Sequence, residues 1–233
     1  MSLLGNAVLV NWGGVVQEKE IDYNQWHSLE HMPERISLPG FLRGFRAEAE
    51  PGTDINHKYF MMYEAEEKEI FISKEYLERL NNPTKWTKEI LSSYISPSRT
   101  ICSVIASKSV GLAGFLATIR FLDHDIENEF NVEKLKLSIP RVIKLNGITG
   151  MHVLLGDNTF GQMRTEEKKY RSTQGMDDQV VSQAIIIEGL SYSALRIAVE
   201  SFFTEYSING NMTTITNFYC CQHILTKQDL VGQ

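Results

Sequence analysis

The chain is poor in several things that would each have named a class of protein. It has three cysteines in 233 residues, Cys102, Cys220 and Cys221. An odd count, with two adjacent and all in apolar strand-like runs, makes no disulfide framework and reads as buried free thiols of a cytoplasmic protein. No apolar run approaches the roughly 18 residues of a membrane span. The N-terminus lacks the basic-then-apolar pattern of a secretion leader. Positive charge is also short, with 23 Lys and Arg against 29 Asp and Glu and a net charge of −6. That balance speaks against a nucleic-acid partner, and no aromatics interleave with basic residues as on an RNA-reading sheet. There is no phosphate-cradling glycine loop and no nucleophile elbow. What remains is a globular chain of ordinary hydrophobic content, 42%, long enough to bury a sizeable core.

The stretch that stands out is Asp22 to Arg46, DYNQWHSLEHMPERISLPGFLRGFR. Asp22 is a good N-cap, with Gln25 completing a capping-box-like pair. At 100° per residue, Trp26, Leu29, Pro33 and Ile36 form one stripe, the face expected to pack on a sheet. Tyr23, His27, Glu30, His31 and Glu34 lie on its flank, and Ser28 and Arg35 on the other side. Pro33 removes a backbone donor and is expected to kink or loosen the helix. Pro39-Gly40 turns the chain into a strand, Phe41 to Ala49.

Taken in order, the first half reads as strand (Ala7 to Trp12), helix (from Asp22), strand (Phe41 to Ala49) and strand (His57 to Ala65). Two helices follow, Glu69 to Leu80 and a second capped by Asn82 with Pro83 at its first position, running to Tyr94. Arg99 to Ser107 closes the unit as a strand. This is the β-α-β-β-α-β order of a ferredoxin-like unit. The second half repeats it: Gly114 to Phe121, a helix Glu129 to Lys144, Ile148 to Leu155, Val180 to Glu188, a helix Tyr192 to Tyr206, and Thr214 to Leu225. Met32 to Gly40 (MPERISLPG) matches Ile139 to Gly147 (IPRVIKLNG), with proline, isoleucine, leucine and glycine in step. The expected fold is therefore α+β: a first ferredoxin-like repeat, 1–110, and a second, 111–233, with no linker beyond Lys108 to Ala113. Each sheet would have one bare apolar face, and burying these against each other closes an α/β barrel within one chain.

At a shift of 107 residues the copies differ where the chemistry is. Tyr23 becomes Phe130, Trp26 becomes Glu133, His27 becomes Lys134, Glu30 becomes Leu137 and His31 becomes Ser138. Arg35 becomes Val142 and Arg43 becomes Gly150. Packing alone does not need the His-Glu-His flank, so the pocket is expected in the first repeat only. The bland alternative is drift on a solvated helix face.

The run YNQWHSLEHMPERISLPGFLRGFR, followed by YLERLNNPTKW and the repeat, resembles the dimeric α/β-barrel superfamily, especially its EthD-like proteins. The likeness is good over the first half and topological over the second. It implies a small-molecule pocket between sheet and helices of one unit, with Trp26 and His31 at the helix-one positions and Arg43 and Arg46 on the following strand. It also implies that the duplication stands in for the usual homodimer, though a homodimer of the whole chain stays open. The superfamily includes cofactor-independent monooxygenases, muconolactone isomerases and haem enzymes, so the resemblance fixes fold better than function.

Candidate roles follow from the residue types. His31 is the acid/base, with Glu30, Glu34 or His27 to orient it or shift its pKa. Tyr23 and Trp26 could stack a flat aromatic or lactone-like ligand, and Arg43 or Arg46 could hold a carboxylate or enolate oxygen. Against this stands a plain reading: Trp26 is core, the arginines pair with acids, and His31 sits at the helix end. A carrier or sensor of a metabolite and a structural stress-type protein remain as alternatives to an enzyme. His27 to His31 also fits H-x-x-E-H, but the motif is short and no downstream ligand accompanies it, so no metal is assigned. No cofactor is assigned either. A haem ligand would have to come from His124, His152 or His223, none of them on a pocket-facing helix. The loop Gly156 to Asp178, with its mixed charges, reads as a solvated hairpin or a lid.

Overall fold

In the computed structural model, residues 3–53, 56–122, 132–157, 163–171, 179–206 and 213–231 are described. The strands are β1 (Ala7–Val15), β2 (Phe41–Ala49), β3 (Tyr59–Ala65), β4 (Tyr94–Ser109), β5 (Phe115–Phe121), β6 (Ile148–Asp157), β7 (Gln183–Gly189) and β8 (Thr214–Thr226). The helices are α1 (Glu20–Trp26), α2 (Met32–Ile36), α3 (Lys74–Asn81), α4 (Lys85–Leu91), α5 (Val132–Val142), α6 (Glu166–Arg171), α7 (Tyr192–Tyr206) and α8 (Lys227–Leu230).

The eight strands close into one antiparallel barrel in the order β1-β3-β2-β8-β5-β7-β6-β4. Cut between β2 and β8 and between β4 and β6, it separates into β4-β1-β3-β2 and β8-β5-β7-β6, two ferredoxin-like sheets of identical order. The duplicated fold is thus present, and its two apolar sheet faces meet within one chain. Residues of both copies, including Val10, Trp12, Phe45, Phe60, Leu154, Ile186 and Tyr219, form a single buried cluster that fills the barrel. Each large side chain so buried stabilises by about 1.5–3 kcal/mol. Two separate cores lie between each sheet and its own helices.

The repeat holds to the level of backbone irregularities. Strand β2 bulges between Phe41 and Arg43, and β6 bulges between Ile148 and Gly150 at the matching place. Ala7 and Phe41 both pair with Ala65, while Phe115 and Ile148 both pair with Gly189. So 34 residues separate the strand starts in the first copy and 33 in the second. The first copy carries one residue more, and its helix has a place for it: a π-helical turn at His27–His31, where the Met32 N–H reaches back to the His27 carbonyl.

That turn corrects the expected helix face. A continuous α-helix would bury Leu29, yet Leu29 is 72% exposed. The buried positions run Tyr23, Trp26, His27, then Met32, Arg35 and Ile36, the phase advanced by one residue. Pro33 sits just beyond, where its missing donor costs little. Other boundaries shifted as well. Thr84, not Asn82, caps α4 by accepting from the Thr87 N–H, and Asn82 ends α3 instead. Ser73 caps α3, and Asp22 lies inside the first turn of α1, accepting from the Trp86 indole at 2.8 Å.

Candidate functional site

The helix-side face of the first sheet presents Leu9, Asn11, Met61 and Tyr63, and the broken helix α1–α2 lies over it. At the π turn the rings crowd together. His31 stacks at 4.3 Å on Trp26, and His27 lies 5.6 Å from His31. The His27 Nε2 meets the Tyr63 hydroxyl at 3.1 Å, and Trp26 Nε1 donates to Thr87 Oγ1 at 3.0 Å. The Nδ1 atoms of both histidines are inaccessible to solvent and have no hydrogen-bond partner among the described residues.

A cavity of about 30 Å³ adjoins His31, walled by Arg35, Tyr63, Tyr76, Tyr94, Arg99, Glu167 and Arg171 among others. It has room for a water or two. A larger groove of about 390 Å³ at the β2–β3 turn is open and walled mostly by the turn itself, and its acids Glu48 and Glu50 are paired with Lys58 and Arg196. The small cavity is where the titratable groups converge.

The electrostatics there are one-sided. Burial holds His31 well below its usual pKa, and Arg35, His27, Arg171 and Arg99 push it the same way. Burial also depresses His27, helped by Arg46, His223 and Arg35. Both imidazoles are therefore neutral at pH 7, amid guanidinium groups. Burial raises Tyr63 and Tyr94 far above the usual phenol range, so they remain hydroxyl donors. Burial alone would lower Arg35, but Glu167 together with Tyr76 and Tyr63 raises it overall, so the guanidinium stays charged.

The residues expected at the site divide. Tyr23, Trp26, His27 and His31 come together as one aromatic cluster. Arg46 reaches it from β2, its guanidinium 4.9 Å from the Tyr23 ring and bonded to Asn24. Glu30 does not orient His31; it accepts from Thr84 Oγ1 at 2.6 Å and Thr87 Oγ1 at 3.1 Å, tying the helix to α4. Glu34 lies between Arg79, at 3.0 Å, and Arg35, at 3.5 Å. Arg43 lies across the sheet from His31. The β2 bulge turns it into the barrel end, where its Nε donates to the buried Glu64 at 2.6 Å.

Residues not anticipated at the site are Arg35, Tyr63, Tyr94, Arg99, Glu167 and Arg171. The last two come from α6, inside the long second-repeat loop expected to be a hairpin or lid. The helix packs on α3 and α4, and its Glu167 forms a buried ion pair with Arg35. A high local density of charge in that loop was the only sign of it.

For metal or haem the described donors fit poorly. The glutamate of H-x-x-E-H is turned to threonines, and no three His, Cys, Asp or Glu side chains among the described residues gather as a metal site. His152 is buried, its Nδ1 hydrogen-bonded to Ser107 Oγ at 2.7 Å and its Nε2 lying 3.4 Å from Glu188, and His223 on β8 pairs in register with Arg46. His124 falls outside the described residues. The second-repeat face that would receive a haem is filled by Leu135, Ser138, Ile139 and Val142 of α5.

Fold and site together define a single-chain, duplicated ferredoxin-like α/β barrel with a polar cavity under its first helix. No family model and no curated protein matches the sequence. Solved structures do match the fold. An anthrone oxidase-like protein superposes with a TM-score of 0.64 at 10% identity, over 97% of this chain and 95% of that one. A candidate monooxygenase from Fusobacterium nucleatum gives 0.58 at 10% identity, over 97% and 96%. A chlorite dismutase from Candidatus Nitrospira defluvii gives 0.54 at 6% identity, over 94% and 92%. At such identities the likeness speaks for the fold alone. No helix among the described residues is long and apolar enough to cross a membrane.

Proposed function

We propose that the chain binds a small planar acid, aromatic or lactone-like, under the first-repeat helix and acts on it as a cofactor-independent monooxygenase or isomerase. The unit of function is the first repeat, residues 1–110, capped by α6; the second repeat, 111–233, otherwise completes the barrel. The observation that carries this reading is His31, its buried Nδ1 without a hydrogen-bond partner among the described residues, beside a cavity walled by Arg35, Arg99 and Arg171. A neutral imidazole can take a proton from a carbon acid, and the guanidinium groups stabilise the anion so formed. Returning the proton to another carbon completes an isomerisation. With dioxygen as co-substrate, a CH₂ becomes a carbonyl and the second oxygen atom leaves as water. The sequence's resemblance to EthD-like proteins and the names of the structural neighbours support this class.

A second reading, a carrier or sensor of the same acid, is favoured by one fact: neither Glu30 nor Glu34 orients His31. Free thiols and intrachain barrel closure support a cytoplasmic chain whose sheets need no second copy.

Oxygen uptake with an anthrone bearing a ring carboxylate, and deuterium wash-in from D₂O into an unsaturated lactone acid, test the enzyme reading. Wild-type protein should be active, and His31→Gln should lose about 100-fold or more. Equal rates in both, or none, leave the carrier or sensor and the structural stress-type protein.

A further inference from the structure

The cavity is closed by its own charge. Arg35 and Glu167, each 2% exposed, form an ion pair between helices 132 residues apart in sequence. Among the described residues, Glu167 is the one carboxylate on a wall that also carries Arg35, Arg99 and Arg171. The planar guanidinium of Arg35 lies 5.9 Å from the Tyr76 ring, and Arg99 donates to the Tyr76 hydroxyl at 2.9 Å. A forked cation beside aromatic walls is matched to a flat carboxylate. Yet a benzene-sized ligand needs about 150 Å³, and the cavity is about 30 Å³. Space for one has to come from α6. Besides the ion pair, that helix is held by the Glu166 N–H on Asn81 Oδ1 at 3.3 Å and by Tyr170, over which Lys88 lies at 5.8 Å.

We propose that Arg35 is the anchor for the ligand's carboxylate and that Glu167 occupies this anchor as an internal stand-in, so that an aromatic monocarboxylate enters by displacing Glu167 and lifting α6. This rests on the first-repeat pocket proposed above, but not on any chemistry at His31. The stand-in explains how a cation this buried is tolerated: a buried guanidinium without a partner is strongly destabilising. It also makes the site selective, because a neutral molecule of the same shape gains no ion pair in place of the one it breaks. Glu34, at 3.5 Å from Arg35 and shared with Arg79, remains as a partial counter-charge when Glu167 leaves.

Benzoate and its neutral isostere benzamide are the probes, with binding followed by tryptophan fluorescence. Glu167→Gln keeps the size of the side chain and removes its charge. It should tighten benzoate and benzamide alike, by about tenfold, because either probe must displace the side chain at 167, while benzoate stays the tighter of the two in both proteins. In the wild-type protein, benzoate should speed hydrogen exchange at the amides of Glu166–Arg171, and benzamide should not. The proposal is overturned if Glu167→Gln leaves benzoate affinity unchanged, or if it tightens benzoate alone, as relief of repulsion from an undisplaced Glu167 would. It is also overturned if wild-type exchange in α6 ignores benzoate, or if benzoate binds neither protein. Benzoate binding that responds to Glu167→Gln while no carbon acid is turned over would sustain the anchor and sink only the enzymatic reading.

Discussion

The two copies of the first helix perform the same packing task with different chemistry. In α5 the buried positions are Leu135, Ser138, Ile139 and Val142, at regular α-helical spacing. In α1–α2 the π turn inserts one residue, and the strand registers set the correspondence: His27 stands where Leu135 does, His31 where Ser138 does and Arg35 where Val142 does. On the sheet beneath, Tyr63 faces Ile187 as its counterpart, and Gly44 faces Met151. The second copy closes its space: Ser138 Oγ bonds back to the Leu135 carbonyl at 2.6 Å and lies 3.6 Å from the Met151 sulfur. The first copy leaves a cavity and two histidine nitrogens without partners. The equivalent helix of the second copy packs on its sheet without a buried histidine, a buried arginine or a π turn, so these features call for an explanation beyond folding.

The largest effect should separate the copies by burial. Trp26 is fully buried, so Trp26→Ala should cost about 3–5 kcal/mol. Lys134, its counterpart by register, is exposed, so Lys134→Ala should stay within about 0.5 kcal/mol. Urea denaturation of both reads the contrast directly.

The next concerns pH. Both histidines have depressed folded pKa values, so the unfolded chain binds more protons below about 6.5. Stability should therefore fall as pH drops from 6.5 toward the depressed values, by up to about 1.4 kcal/mol per pH unit for each histidine. Giving the first copy the residues of the second, His27→Leu with His31→Ser, should flatten that part of the profile. An unchanged slope would place the titration elsewhere.

Deleting Leu29 is a gentler intervention. It removes the extra residue and lets α1 and α2 join as one α-helix with Met32, Arg35 and Ile36 still in phase. Stability should change by less than about 2 kcal/mol, while the spacing of His27 and His31 changes and the ligand response is lost. Unfolding would show that the π turn is required by the fold. Smallest of all, Glu30→Gln should cost about 1 kcal/mol through its threonine bonds and leave the His31 titration where it was; a moved titration would restore Glu30 as its partner.

Much of this could be read from the sequence for physical reasons that can be named. Proline, isoleucine, leucine and glycine in step between Met32–Gly40 and Ile139–Gly147 reported a repeat, and alternating apolar strands reported sheets with bare faces. Tyr23, Trp26, His27 and His31 were legible because they are local. Arg35 was assigned to the wrong face because a π turn leaves no mark in a 100° wheel. Arg43 entered the barrel because a bulge reverses strand alternation after Phe41. Glu167 and Arg171 were not legible as site residues, since nothing local ties a charged loop to a cavity formed by residues 68 or more positions earlier.

The central claim is that the first copy holds a neutral histidine in a cationic ligand site, and an NMR titration of His31, free and with benzoate, tests it most directly. The account expects an apparent pKa well below 6.5 in the free protein, rising when the carboxylate offsets the surrounding guanidinium groups. A pKa near 6.5 that benzoate leaves unmoved would contradict it, and would make the π-turn histidines ordinary members of a packed helix face.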